Sequence, residues 1–113
     1  MTKDYQNITK DISEYIAEMR KLQPDAMKGF SELAKNASKD GALDKKTKEL
    51  IALAIGVSTR CDGCIGFHAK ALVDLNASRE EVAEMLAMCV YMGGGPSLMY
   101  VADALRAYDQ FKA

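Results

Sequence analysis

An all-α domain of about six helices, assembling as a homo-oligomer, is what this amino-acid sequence predicts, on three observations. Apolar residues recur at three-and-four spacing along most of the chain, which is the period of a helix face. No stretch alternates apolar and polar residues between hairpin-type turns, so a sheet would have no strands to build on. Helix start and stop signals also punctuate the chain at helix-length intervals.

The elements follow in order. Between residues 4 and 22, Ile8, Ile12, Tyr15, Ile16, Met19 and Leu22 lay down the apolar stripe of a first helix. Pro24 stands where a first-turn proline belongs and opens a second helix through "DAMKGFSELAKNA". "KDGALD" is a break, after which Asp44 caps a third helix through "KKTKELIALAIGV". The segment "CDGCIGFH" opens a fourth helix, running to about Leu75. In "NASREE", Ser78 and Glu81 have capping-box spacing and start a fifth helix, to about Tyr91. "GGGP" ends it, and Pro96 begins a sixth that runs to the C-terminus.

At 113 residues the chain has interior for one core, hence a single domain over 1–113. The third helix is apolar on all sides at "LIALAIGV". Such a helix has to be covered all round, which a domain this small achieves by self-association. Seven methionines fit either adaptable interfaces or ordinary core filling. A formal net charge of −1, with lysines scattered among carboxylates, leaves no footprint for nucleic acid. The polar N-terminus "MTKDYQNITK" lacks a signal-peptide core, and no window approaches the roughly 18 apolar residues of a spanning helix. The expectation is a soluble, cytoplasmic protein without a membrane partner. Three cysteines, an odd number, argue against a disulfide framework, and in a reducing compartment a close pair is more often catalytic or metal-binding.

Cys61, Cys64 and His68, the chain's only histidine, fall within eight positions. On a helix they project within a sector of roughly 60°, and Cys64 and His68, four apart, can touch. A Cys-x-x-Cys at a helix start also meets unpaired backbone N–H groups that favour thiolate over thiol. The arrangement reads as an activated dithiol. Haem attachment needs the histidine directly after the second cysteine, and here three residues intervene. A structural zinc needs four ligands, and Cys89 completes the set only if the fifth helix crosses the site. A thioredoxin-type motif follows a strand, and none is visible. Buried cysteines beside a satisfied histidine are the bland alternative.

Geometry offers Glu49 as a fourth participant. The turn between the third and fourth helices centres near Thr59, and helices joined so tightly run antiparallel. Glu49 lies ten residues before that centre and His68 nine after it, so at 1.5 Å per residue they reach similar heights and can face each other. Glu49 could equally end the polar face of "KKTKE" and point to water.

With these residues in place, Glu-x11-Cys-x2-Cys-x3-His followed by a Ser-capped helix and a Gly-rich break resembles the core of the carboxymuconolactone decarboxylase and AhpD-like alkylhydroperoxidase superfamily. The likeness covers about residues 25 to 112, with 1–23 as an N-terminal helical extension. It implies an all-helical trimer or hexamer with no cofactor or metal, reducing hydroperoxides through a dithiol. It further implies Cys64 as peroxide nucleophile, Cys61 as resolving thiol, Glu49 and His68 as proton relay, and an external dithiol reductant, lipoyl-bearing or thioredoxin-like. The redox branch carries a second histidine inside the Cys-x-x-Cys, where this chain has Gly63. True lactone decarboxylases of the superfamily lack the cysteine pair. Two other functions stand beside the peroxidase: a cofactor-free decarboxylase-type enzyme using His68 and Glu49, and a non-enzymatic oligomeric interaction protein. Cys89 matches no catalytic role and reads as a small core residue.

Overall fold

Five helices, α1 (Tyr5–Leu22), α2 (Pro24–Ser38), α3 (Lys45–Ser58), α4 (Asp62–Asp74) and α5 (Arg79–Lys112), make up the computed structural model. It describes residues 2–113, and no strand occurs among them. The start signals act as expected. Pro24 occupies the first turn of α2, and the Asp44 carboxylate accepts from the Thr47 amide at 2.7 Å at the head of α3. Ser78 and Glu81 form a reciprocal capping box at the head of α5, so two otherwise unpaired N–H groups are satisfied.

Two further ends use left-handed residues. Arg60 has φ 58° and Asn76 has φ 60°. The Arg60 amide reaches Val57 O and the Cys61 amide reaches Gly56 O at the end of α3. The Asn76 amide likewise reaches Val73 O, and the Ala77 amide Leu72 O, at the end of α4. Both are Schellman closures, which satisfy the last carbonyls while reversing the chain in two residues. Cys61 therefore finishes the cap of α3 and is itself the N-cap of α4.

The break expected at "GGGP" is a kink within α5. Gly94, at φ 69° and ψ −153°, leaves helical geometry, and the arm beginning near Pro96 follows with no intervening loop. The fifth and sixth expected helices are thus two arms of one element. By length and composition α5 also reaches what a membrane-crossing helix requires, which corrects the expectation that no segment would. The kink divides that apolar length, and both arms enter the core, through Val82, Leu86 and Cys89 before it and Ala104, Ala107 and Tyr108 after it.

The core joins α3, α4 and α5 around Leu53, Val57, Ile65, Ala69 and Leu72, with Tyr5 of α1 added from one side. Tyr108 fixes the C-terminal arm by donating from its hydroxyl to Ala77 O at 2.7 Å. The second half of α1 and the whole of α2 stand outside this core, and α2 buries no residue. Tyr15, Leu22, Phe30 and Leu33 consequently face outward, as do Ile51 and Ile55 of α3 and Met88, Tyr91 and Met92 of α5.

Candidate active site

The Schellman turn after α3 sets the site. It starts α4 at once and in the opposite direction, so the last turns of α3 lie against the first turns of α4. Gly56 makes the close approach feasible, since a Cβ there would stand 2.9 Å from Cys64 Cβ. Across the same interface Glu49 and His68 meet, with His68 Nδ1 and Glu49 Oε2 2.7 Å apart. Of the two positions open to Glu49 on sequence grounds, the inward one is realised, and the residue is buried. With Nδ1–H donated to the carboxylate, Nε2 is left as the ring's basic nitrogen.

Cys61 and Cys64 form a disulfide, with Cα atoms 5.2 Å apart, inside the usual span of such a bond. Cys61 Sγ accepts from the Cys64 amide at 3.2 Å. A sulfur in an N-cap position meets the positive end of the helix, which favours it as an anion once the bond is reduced. Both cysteines and His68 are half-buried, so the site is reachable from solvent. All four residues singled out in the sequence thus lie along the α3–α4 interface, the disulfide at its closed end and the Glu49–His68 pair farther along. Cys89 does not join them; its Sγ lies in the core, 3.9 Å from Ala54 O and 3.8 Å from Met85 Sδ. Burial pushes its thiol pKa up, as befits an inert core residue.

Sequence reasoning missed the part played by α1. Its inner face crosses the first turns of α4 where that helix has two glycines. A Cβ at Gly63 would come within 2.9 Å of Ile12 Cδ1, and one at Gly66 would strike Thr9 Cγ2. Asp62, between the two cysteines, accepts from the Tyr5 hydroxyl at 2.9 Å and from Lys3 Nζ at 2.9 Å. Lys3 also reaches Asp103 of α5 at 2.8 Å. Burial and the bond to Asp62 push the Tyr5 phenol pKa well above its ordinary range, and the carboxylates, Asp103 foremost, raise that of Lys3. The spacing of Gly63 and Gly66, two small residues one turn apart, is the only local signal that another helix passes here.

The likeness to known proteins extends over the whole arrangement. The family model for carboxymuconolactone decarboxylases matches residues 24–107. A crystal structure of a carboxymuconolactone decarboxylase family protein from Legionella pneumophila superposes with a TM-score of 0.95 at 60% identity, covering 96% of this chain and 97% of that one. A family member from Thermotoga maritima, suggested to take part in the antioxidative response, has a TM-score of 0.73 at 28% identity, over 88% of this chain and 90% of its own. An uncharacterised protein from Cupriavidus necator is 39% identical over all 113 residues of both chains. α1 lies ahead of the segment that the family model matches, yet within the full-length match to the Cupriavidus protein. A five-helix fold with a cysteine pair at the head of α4 and a Glu–His pair across α3 and α4 is therefore the form that the carboxymuconolactone decarboxylase family takes in this chain, which belongs to it.

Proposed function

We propose that the protein is a thiol-dependent peroxidase that reduces hydroperoxides through Cys64 and Cys61. The observation that carries this reading is the Glu49–His68 hydrogen bond across the α3–α4 interface whose closed end carries the Cys61–Cys64 disulfide. A histidine oriented by a buried carboxylate is a positioned base, and the disulfide is the oxidised end of a two-thiol cycle.

In that cycle His68 accepts the Cys64 proton, and the thiolate attacks the nearer oxygen of a hydroperoxide. The O–O bond breaks, Cys64 becomes a sulfenic acid, and the leaving alkoxide takes up a proton to depart as an alcohol. Cys61, favoured as a thiolate by the Cys64 amide, attacks the sulfenic sulfur and expels water, leaving the disulfide. An external dithiol, lipoyl-bearing or thioredoxin-like, returns two electrons and two protons and leaves as its own disulfide. The protein works as a homo-oligomer, a trimer or hexamer, in the reducing cytoplasm. Membership of the family and the antioxidative role suggested for the Thermotoga relative support the reading.

Thiol counting tests it. The reduced chain has three thiols, and one equivalent of organic hydroperoxide is expected to leave one, with two restored by a dithiol reductant. Cys61→Ser should consume peroxide once and halt at a sulfenic acid trapped by dimedone, while Cys64→Ser should consume none. Turnover that survives Cys64→Ser points instead to decarboxylase-type proton chemistry on His68 and Glu49. Absence of turnover with every peroxide and lactone leaves the oligomeric interaction protein.

A further inference from the structure

We infer that Lys3, acting through Asp62, is a positioning residue that sets the reduction potential of the Cys61–Cys64 pair, with Tyr5 as its auxiliary. The inference rests on the proposed function only in taking the pair to be redox-active.

Asp62 is the first residue of α4 and the direct neighbour of Cys61, so its carboxylate and both sulfurs share one helical turn. Left alone, that negative charge would oppose a thiolate on either cysteine and offset the benefit of the helix terminus. It is not left alone. The Lys3 ammonium and the Tyr5 hydroxyl both bind the same oxygen, Asp62 Oδ1, at 2.9 Å. Tyr5 is wholly buried, so this contact is a fixed part of the α1–α4 packing. Lys3 is held on its other side by Asp103, which in turn has Arg106 at 3.9 Å. From α3, Ala52 to Ser58 bring no charged side chain to this turn, and Glu49, farther up the helix, is already paired with His68. Lys3 is thus the cation that neutralises the one carboxylate built into the Cys-x-x-Cys loop, and it comes from a segment 59 residues away.

The sign of the effect follows. Thiolates stabilise the reduced pair, so a neutralised Asp62 makes the disulfide easier to reduce and the pair more oxidising. Removing the Lys3 charge restores the repulsion and favours the disulfide. Removing the Asp62 charge, while Lys3 stays held by Asp103, does the opposite. Lys3 and Asp62 are each more than a third exposed, so solvent screening keeps the effect modest.

The test is equilibration of the intact protein with mixtures of reduced and oxidised dithiothreitol at pH about 8.5, near the ordinary thiol pKa, so that the reduced pair carries thiolate. Dithiothreitol gives two electrons and two protons to the Cys61–Cys64 bond and closes to its cyclic disulfide. Lys3→Met is expected to shift the equilibrium toward the disulfide by roughly threefold or more, about 15 mV at about 30 mV per tenfold. Asp62→Asn should shift it toward the dithiol, and Lys3→Arg should stay within about twofold of the parent chain. Opposite signs for the two charge removals are a signature that mere loosening of α4 does not give, since loosening moves both the same way. Shifts of the same sign, or none in a parent pair that titrates normally, overturn the inference. If Lys3→Met fails to fold, Asp62→Asn decides alone, a move toward the dithiol supporting the inference and no move refuting it. A parent pair that never exchanges with dithiothreitol refutes the redox reading itself, and the inference with it.

Discussion

Glu49 and His68, nineteen residues apart in sequence, meet at 2.7 Å because the turn between their helices is closed within two residues by the left-handed Arg60. The carboxylate is buried and the imidazole is partly open to solvent, so the pair holds the ring from its protein side. Glu49→Gln keeps the size of that support and removes its charge. Peroxide turnover is expected to fall about 10²-fold, within the range a positioned acid–base group contributes. His68→Ala should lower turnover at least as much and also cost about 1–3 kcal/mol of stability, because a buried carboxylate loses its partner. Steady-state kinetics and urea unfolding measure the two effects. A His68→Ala protein as stable as the parent would mean that Glu49 finds water instead.

Gly63 invites substitution by histidine, which the redox branch of the family carries there. The structure shows what such a change meets: Ile12 Cδ1 lies 2.9 Å from where the new Cβ would stand. Gly63→His alone should therefore displace the Ile12 terminal methyl and destabilise the chain by up to about 3 kcal/mol, the range for overpacking. Combined with Ile12→Ala, which vacates the space, the histidine should be accommodated and peroxide turnover should rise. Thermal unfolding and turnover of the single and double variants check this. Equal stability of the two variants would show that Ile12 is no obstacle.

Apolar residues far from the core predict the assembly state. Tyr91 is 79% exposed, Met92 77% and Phe30 67%, and large apolar side chains left this open are what an interface covers. Light scattering at micromolar concentration is expected to report a closed oligomer. Tyr91→Asp with Met92→Asp should reduce it to smaller species while leaving the helical content unchanged. A particle of one chain's mass for the parent protein would refute the assembly.

Alkali should attack the α1–α4 contact first. Tyr5 and Lys3 hold their protons more tightly in the folded chain than in the unfolded one. A group whose folded pKa is raised contributes stability that is fully present below its unfolded value and lost as pH climbs from there toward the folded value. For Tyr5 the loss begins above about 10 and proceeds by at most about 1.4 kcal/mol per pH unit. Tyr5→Phe should be less stable than the parent near neutrality, yet lose less stability between about pH 10 and 11.5. Urea midpoints at those values give the comparison, and parallel curves for the two proteins would rule the phenol out.

What was legible in the sequence is what lies close along the chain. Pro24, Asp44 and the Ser78–Glu81 pair act within one turn of where they stand, and Cys61, Cys64 and His68 share a helix. Glu49 was reachable because two straight helices joined by a tight turn make height a matter of counting. The contacts of α1 were not reachable in this way. Lys3 finds Asp103 across 100 positions, and Ile12 fills a gap at Gly63 that depends on the crossing of two helices not adjacent in the chain. The kink was visible as "GGGP", but whether it led to a loop or a bend depends on Gly94's φ angle, which the residue type leaves free.

That angle at Gly94 decides how far the chain can reach. A straight helix of 34 residues would be about 51 Å long, beyond the 40 Å of the molecule's longest dimension. Folding back at Gly94 is what returns the C-terminal arm to α1, where Gln110 receives the Tyr5 amide at 2.8 Å and gives its own side-chain N–H to Lys3 O at 2.9 Å. None of these bonds records which molecule supplies the arm. Gly94 shares this bend with Pro96, which has no N–H to return to Met92 and so keeps α5 from running straight whatever stands at 94. The pairing of Lys3 with Asp103 within one chain is thus set by the short stretch Gly94–Pro96, none of whose side chains takes part in it.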